Sequence, residues 1–571
     1  MIKRIPYAVA NYEQIASDNY YFVDKTRFIR TLEEYKIPVF LRPRRFGKSL
    51  WCSLLECYYD VNRADRFDEL FGNTDIGREP TSLRNSHLVM RFDFSVVEVK
   101  PNLAAMEQSF NGACHDALRV FVANYRSHAD FSETLDASSA SDALRSILST
   151  VSSQNTPHLY IIIDEYDNFT NQLITSHQDG LYEELTTGDS FLRTFFKVIK
   201  AGVGEGSVDR VFITGVLPIT IDDLTSGFNI AQIITLEEDT LLMMGFTQSE
   251  ADKYIKKVFD DGNLPAEQLP QVRELVRSHY NGYRFLPDSE ETLYNSTILN
   301  FFLDKLVRRK GRIPTEMIDA NLRVDINWLR RLTGSDEATR ELLETLMFDG
   351  TLPADITKLQ AQFNMNQFFQ KDFYPLSLYY LGMLTFKDQF TMEFPNLTMK
   401  TIFTNYFNEI ERISVSDGYT DMFKGFLKDH NLAALFGGYW ERYIGQIPAQ
   451  AFDKVNENFI RTTFYELCTR YLFYDLIFSI EVNHPSGRSD WEAVGRPGKG
   501  FENQAILIEF KHFSRAEAER LDVLNWDNPQ QEDIEQVTGY ANDIQAKYQE
   551  LSIHCHVCYT ISCDSFRFFK L

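Results

Sequence analysis

An α/β fold in successive parts is what this sequence predicts: a parallel sheet within residues 1–235, a mainly helical region over 236–445, and a smaller α/β domain over 446–571. Three observations carry that expectation. The first part alternates helical stretches with short, continuously apolar runs, which is how strands buried on both faces read. In the second part the apolar residues, rich in Leu and Phe, follow helical patterns. In the third the order becomes helix, three strands, helix, strand. A chain of 571 residues also exceeds what one hydrophobic core organises, so several domains follow.

The composition, 44% hydrophobic and 24% charged, is that of an ordinary globular protein. No apolar run is long enough to cross a bilayer, and the opening MIKRIPYAVANYEQ lacks a signal-peptide pattern, so a cytoplasmic location away from membranes is the default expectation. Seven scattered cysteines, an odd number, read as reduced thiols. A net charge of -23 argues against broad, nonspecific attachment to nucleic acid or acidic membranes, so any nucleic-acid contact must be local.

In chain order, IPVFL (37–41), HLVMRFDF (87–94), LYIII (159–163) and VFITGV (211–216) read as buried strands. LPQVRELVRSHY and NSTILNFFLDKLVRR read as helices of the middle region. NENFIRTTFYELCTRYL then opens the last domain as a helix. The strands FYDLIFSIEV, one beginning at Asp490, and AILIEFKHF follow. A helix, QEDIEQVTGYANDIQAKY, and a last strand, SIHCHVCYTIS, complete it.

Two sites of chemistry are expected. In IPVFLRPRRFGKSL an apolar strand runs through a short loop into Gly47-Lys48-Ser49 at the start of a helix, the setting of a P-loop. Backbone N–H groups of Arg44, Arg45, Phe46 and Gly47, with Lys48, would cradle the phosphates of ATP, and Ser49 would ligate Mg²⁺. Arg42 stands where the simple pattern has its first glycine, and a solvated basic turn of Arg44, Arg45 and Lys48 is the competing reading. The run LYIIIDEYDNF supplies the partner motif: Asp164 to hold Mg²⁺ through water and Glu165 to polarise the attacking water. Thr214, at the tip of VFITGV, is either a γ-phosphate sensor or an ordinary strand-end threonine.

The segments FVDKT (22–26), RPRRFGKS (42–49), IIIDEYD (161–167), FITGVLPIT (212–220), LTSGFNIA (224–231), GFTQSE (245–250) and YNGYRF (280–285) together resemble the AAA-ATPase-like family found in many bacterial genomes. That family tolerates arginine at the position of Arg42. The resemblance implies ATP binding and hydrolysis.

The second site lies in the last domain. Glu509 and Lys511, two apart on one strand, project to the same face, and Asp490 lies on the preceding strand. Asp490 and Glu509 would bind Mg²⁺ or Mn²⁺, while Lys511 would position water and stabilise charge on the reacting phosphate. Glu466, on the preceding helix, is placed as a further metal or orienting group; Gln536 and Tyr540, one turn apart, would line the same cleft. The alternative is a charged edge strand, which the apolar flanks of ILIEFKHF disfavour. The pattern resembles the PD-(D/E)XK nuclease superfamily, of restriction-endonuclease-like fold, which implies metal binding by Asp490 and Glu509 and catalysis by Lys511. His554-Cys555-His556-Val557-Cys558 resembles a zinc motif, but strand alternation turns Cys555 and Cys558 to opposite faces.

The expectation is therefore an ATPase joined to a metal-dependent nuclease, with DNA favoured over RNA as its substrate and nucleotide state controlling cleavage. The rivals are a nucleotide-dependent switch and a remodelling ATPase that binds a partner without cutting. Residues 451–571 hold 12 Lys and Arg against 19 Asp and Glu, so a basic groove would come from the helical region or from another subunit of a homo-oligomer. Arg284 is a guess for an arginine acting in trans.

Overall fold

A computed structural model describes residues 3–131, 137–154, 156–224, 228–319, 326–333, 337–359 and 363–571. Thr225, Ser226 and Gly227 of the LTSGFNIA segment lie outside the described residues. The chain divides into two compact units: Met1–Pro314 with Ile318–Ser335 and Pro353–Pro395, and Thr315–Met317 with Asp336–Leu352 and Asn396–Leu571.

In the first unit, strands β1 (Pro38–Leu41), β2 (Leu88–Asp93), β3 (Leu159–Asp164), β4 (Val208–Gly215) and β5 (Gln232–Ile233) form one parallel sheet in the order β2-β3-β4-β1-β5. The four apolar runs read from sequence are β1 to β4. The fifth strand, two residues long, is too short to leave a periodic signal. Every residue of β3 is buried, as its β-branched run requires. Helices cover the sheet, among them Lys48–Tyr59, Leu103–Tyr125 and Phe191–Glu205. Phe92, Phe110 and Phe195 meet in edge-on contacts at 5.2 Å.

Beyond β5 come the expected helices Leu269–Tyr280 and Ser296–Arg308, then the short strands β6 (Thr351–Pro353), β7 (Thr385–Phe386) and β8 (Thr391–Glu393). One close approach of backbone requires a glycine: Gly282, in YNGYRF, has φ +103°, and a Cβ there would lie 1.7 Å from the Pro395 carbonyl oxygen.

The second unit contains helices Leu397–Ile410, Tyr419–Asp429, Leu432–Arg442 and Glu457–Leu472. Its sheet runs β13-β12-β11-β10-β9, from β9 (Leu476–His484), β10 (Gly487–Gly495), β11 (Gln504–Phe513), β12 (Ser552–Ile561) and β13 (Ser565–Lys570). β11 and β12 are parallel and the other pairs antiparallel, so β11 is the central strand. Two elements depart from the sequence reading. A further strand, β13, follows the expected last one, and β10 begins at Gly487 rather than Asp490, extending through the Gly-Arg-Ser segment read as a turn. The helix Gln531–Lys547 packs Val537, Tyr540 and Ile544 in the same core as Leu507, Val557 and Tyr559. Glu509 and Lys511, on the Leu507 face of β11, follow that apolar patch.

Gly282→Ala is expected to destabilise the first unit by roughly 3 kcal/mol or more, because the added methyl meets backbone and the φ is left-handed. Urea unfolding followed on that unit checks this; a midpoint equal to wild type would contradict the close approach.

Candidate active sites

The first site forms where β1 ends. Its loop turns into the helix Lys48–Tyr59 at Gly47, which has φ +95°. The left-handed residue expected at the first glycine of the pattern is instead Arg45, at φ +73°, while Arg42 needs no such conformation. Arg42 is the loop's internal brace. Buried, it donates through Nη1 to the carbonyls of Leu41 and Thr235, both at 3.1 Å, and through Nη2 to that of Leu241 at 2.9 Å. Its guanidinium stacks on Phe285, 3.9 Å from the ring centre. Burial pulls its pKa down to about 10.

Lys48 is buried too, with Nζ donating to the carbonyls of Arg42 at 3.0 Å and Pro43 at 3.1 Å. Burial lowers its pKa, opposed by the charges of Glu165, Asp167 and Asp164. Arg44, Arg45, Phe46, Gly47, Lys48 and Ser49 line a cavity of about 410 Å³, and Glu165 lines it as well. Phe22 of FVDKT lines it too, and Met243 and Asn300 belong to walls that no sequence pattern marked. Arg45 pairs with buried Asp319 at 2.7 Å.

At the end of β3, Glu165 sits at φ +49°, and burial raises its pKa, with Lys48 opposing. Asp164 is almost fully buried. Its Oδ2 accepts from Arg91 on β2 at 3.0 Å, a partner that sequence reading missed, and its Oδ1 is buried without a hydrogen-bond partner. A free carboxylate oxygen and the Ser49 hydroxyl are hard donors of the kind Mg²⁺ takes, so the residues present fit that ion. Asp167 acts as a structural latch, accepting from the backbone N–H groups of Val216 and Leu217 and from Asn171. This latch needs Gly215, because a Cβ there would lie 2.4 Å from Asp167 Oδ1. Thr214 is buried, and its hydroxyl donates to the Phe40 carbonyl at 2.8 Å, inside the sheet, as an ordinary strand threonine does.

Three of the family-like segments are fastened around this loop. Lys25 of FVDKT pairs with Glu250 of GFTQSE at 2.6 Å, and Gln248 accepts from Asn281 of YNGYRF at 3.1 Å. Arg284 donates to the Lys387 carbonyl at 2.8 Å.

The second site is built on β10 and β11. Lys511 Nζ donates to Glu509 Oε1 at 3.0 Å and reaches Gln536 Oε1 at 3.5 Å; Gln536 in turn donates to the Tyr540 hydroxyl at 2.8 Å. Glu509, Lys511, Gln536 and Tyr540 therefore meet as expected from their spacing. Asp490 accepts from the Phe510 N–H at 2.8 Å through Oδ2 and from Arg461 at 2.6 Å through Oδ1. Burial, then the charge of Asp490, pushes the Glu509 pKa up to about 8. For Lys511 burial acts downward, but Glu509, Glu457 and Asp490 together outweigh it and the pKa rises. Glu509 Oε2 is buried with no partner. Two carboxylates crowded in a low-dielectric site, one with a free oxygen, fit a divalent cation.

Glu466 is not brought to this group. It is buried, its Oε1 is held by Arg470, and its electrostatic neighbours are Tyr443, Tyr471 and Cys468. The helix carboxylate near the site is Glu457, whose pKa rises to about 7 through burial and the charge of Asp490. The periodicity holds that signal: Glu457 and Arg461 are one turn apart on one face, whereas nine residues, two and a half turns, put Glu466 on the opposite face.

Compared with known proteins, residues 6–225 match the family described as Predicted AAA-ATPase, and residues 455–567 match the PD-(D/E)XK nuclease superfamily. No curated protein matches the chain. Among solved structures it is similar to a Walker-type ATPase of Pyrococcus abyssi, at 13% identity and a TM-score of 0.39, covering 66% of this chain and 94% of that one.

With Glu509 raised from its ordinary 4.5 to about 8, folding favours its protonated form. The stability this contributes is present below about pH 4.5 and lost as pH rises through about 8. Urea unfolding of the second unit should show that loss in wild type and a smaller one in Glu509→Gln; the same pH dependence in both would refute the placement of this carboxyl.

Proposed function

We propose that this chain, AAA-ATPase-like over residues 6–225 and of the PD-(D/E)XK nuclease superfamily over 455–567, hydrolyses ATP at the first site and cuts nucleic acid at the second, with nucleotide state governing the cut. DNA is favoured over RNA as substrate. The observation that carries the reading is the convergence of Asp490, Glu509 and Lys511 beside Gln536 in a largely buried cluster.

At the first site, Lys48 exchanges the carbonyls of Arg42 and Pro43 for phosphate oxygens, while the N–H groups of 44–47 cradle the phosphate chain. Ser49 and Asp164 hold Mg²⁺, and Glu165, its carboxylate made more basic by burial, orients and deprotonates the attacking water. At the second, Asp490 and Glu509 hold Mg²⁺ or Mn²⁺. That ion supplies Lewis-acid polarisation of the scissile phosphate. Lys511, oriented by Glu509 and Gln536, holds water in line and stabilises negative charge developing on the phosphate. Residues 1–235, 236–445 and 446–571 serve as nucleotide module, coupling region and cutting module, in the cytoplasm and without a membrane. Among the described residues, no helix is long and apolar enough to cross one.

A second reading is a nucleotide-dependent switch or remodelling ATPase whose C-terminal domain binds without cutting. Two observations favour it: the acidic balance of 451–571, and the engagement of both Asp490 oxygens within the protein.

Plasmid and single-stranded DNA, with Mg²⁺ or Mn²⁺ and with or without ATP, separate these readings. Lys511→Ala should lower cleavage at least ~10²-fold with ATP turnover kept, since a positioned proton-transfer or charge-stabilising group contributes on that order. Lys48→Ala should abolish the response to ATP. No cutting under any condition, with turnover intact, would favour the second reading. A separate outcome is expected of Glu165→Gln: ATP still binds, and hydrolysis falls by ~10²-fold or more in a phosphate-release assay; unchanged hydrolysis would remove Glu165 from the reaction.

A further inference from the structure

The second site contains a cation of its own. Arg461 lies in the second turn of the helix Glu457–Leu472, its side chain only 10% exposed, and its fork spans two neighbouring strands. Nη1 donates to Asp490 Oδ1 on β10 at 2.6 Å, and Nη2 donates to Glu481 Oε1 on β9 at 2.8 Å.

The backbone around Glu481 is shaped for this contact. The β9 and β10 pairing runs through Val482 with Ser489 and resumes at Ile480 with Trp491, so Glu481 and Asp490 fall in a gap of the register. Glu481 has φ +57° within the strand, a conformation costing a non-glycine residue roughly 1–2 kcal/mol. Three cations converge on its carboxylate: Arg461, Lys400 at 3.2 Å and Arg488 at 2.7 Å. A strained residue held so firmly over-determines the position of the guanidinium that bridges to Asp490.

We propose that Arg461 is a positioning residue that occupies Oδ1 of Asp490, so that a divalent cation would bind that oxygen only by displacing Nη1, with Glu481 retaining the arginine through Nη2. The proposal rests on the reading of Asp490 and Glu509 as metal ligands. A guanidinium held on Oδ1 at 2.6 Å and a divalent ion on the same oxygen would repel at close range in a poorly screened site, so the two compete. The other oxygen accepts the Phe510 N–H and faces no cation at hydrogen-bond distance among the described residues, so the competition with Arg461 falls on Oδ1. Arg461 holds a buried carboxylate in place before the ion arrives, and weakens the ion's binding in doing so.

The test is Mn²⁺ titration by calorimetry on the full chain without nucleotide. Arg461→Gln should bind Mn²⁺ about tenfold more tightly than wild type, a change typical of removing one competing charge. Arg461→Lys, whose single ammonium does not span both carboxylates, should show a smaller gain in the same direction. Binding unchanged or weakened in Arg461→Gln overturns the proposal, as does Mn²⁺ binding in neither protein. Thermal unfolding without metal shows whether Arg461→Gln folds; where it does not, Arg461→Lys must bind more tightly than wild type for the proposal to stand. Glu509→Gln isolates the underlying reading: wild-type Mn²⁺ affinity in that variant would mean that the ion binds elsewhere, whatever Arg461 does.

Discussion

Both candidate sites depend on one constraint: each holds a buried aspartate whose carboxylate must find its partners inside the protein. An unpaired carboxylate in such a place takes up a proton or opens the fold. The answer is the same in each unit: an arginine from a neighbouring element, Arg91 for Asp164 at 3.0 Å and Arg461 for Asp490 at 2.6 Å. Such pairs contribute little net stability, but losing one partner costs on the order of 3–5 kcal/mol because the other charge stays buried. The arginines are what allow strands as apolar as LYIIID to end in an acid.

Around the first of these aspartates, segments far apart in sequence become one hydrogen-bonded frame. Asp167 ties the end of β3 to the residues after β4, and Arg42 ties the end of β1 to Thr235 and Leu241. Lys25 joins Glu250, and Gln248 joins Asn281. The phosphate-binding loop is thereby fixed at both ends, while Lys48 rests on carbonyls that a phosphate would replace.

What was legible in the sequence follows the range of each signal. The apolar runs gave away β1 to β4 and the central position of β11, because burial on both faces writes itself into consecutive residues. Spacing of two brought Glu509 and Lys511 together, and spacing of four brought Gln536 and Tyr540 together. Glu466 was misplaced although the helix period was available to correct it: counting from Glu457 and Arg461 puts it on the far face. Arg42, Arg91 and Glu481 were not readable. Their partners lie on other elements, and no local pattern records which arginine will cross to which carboxylate. The two-residue β5 was missed because a strand this short carries no periodicity, and the six-residue β13 because its residues are half-buried without alternation between faces.

The central claim is that the chain holds two separate metal-dependent phosphoryl-transfer sites, each organised by one buried aspartate. The most direct measurement is Mn²⁺ stoichiometry by electron paramagnetic resonance with a non-hydrolysable ATP analogue bound, comparing wild type with Asp164→Asn and Asp490→Asn. The account predicts that each substitution removes a different class of bound Mn²⁺ and leaves the other. Loss of both classes from either substitution, or of neither from Asp490→Asn, would contradict it.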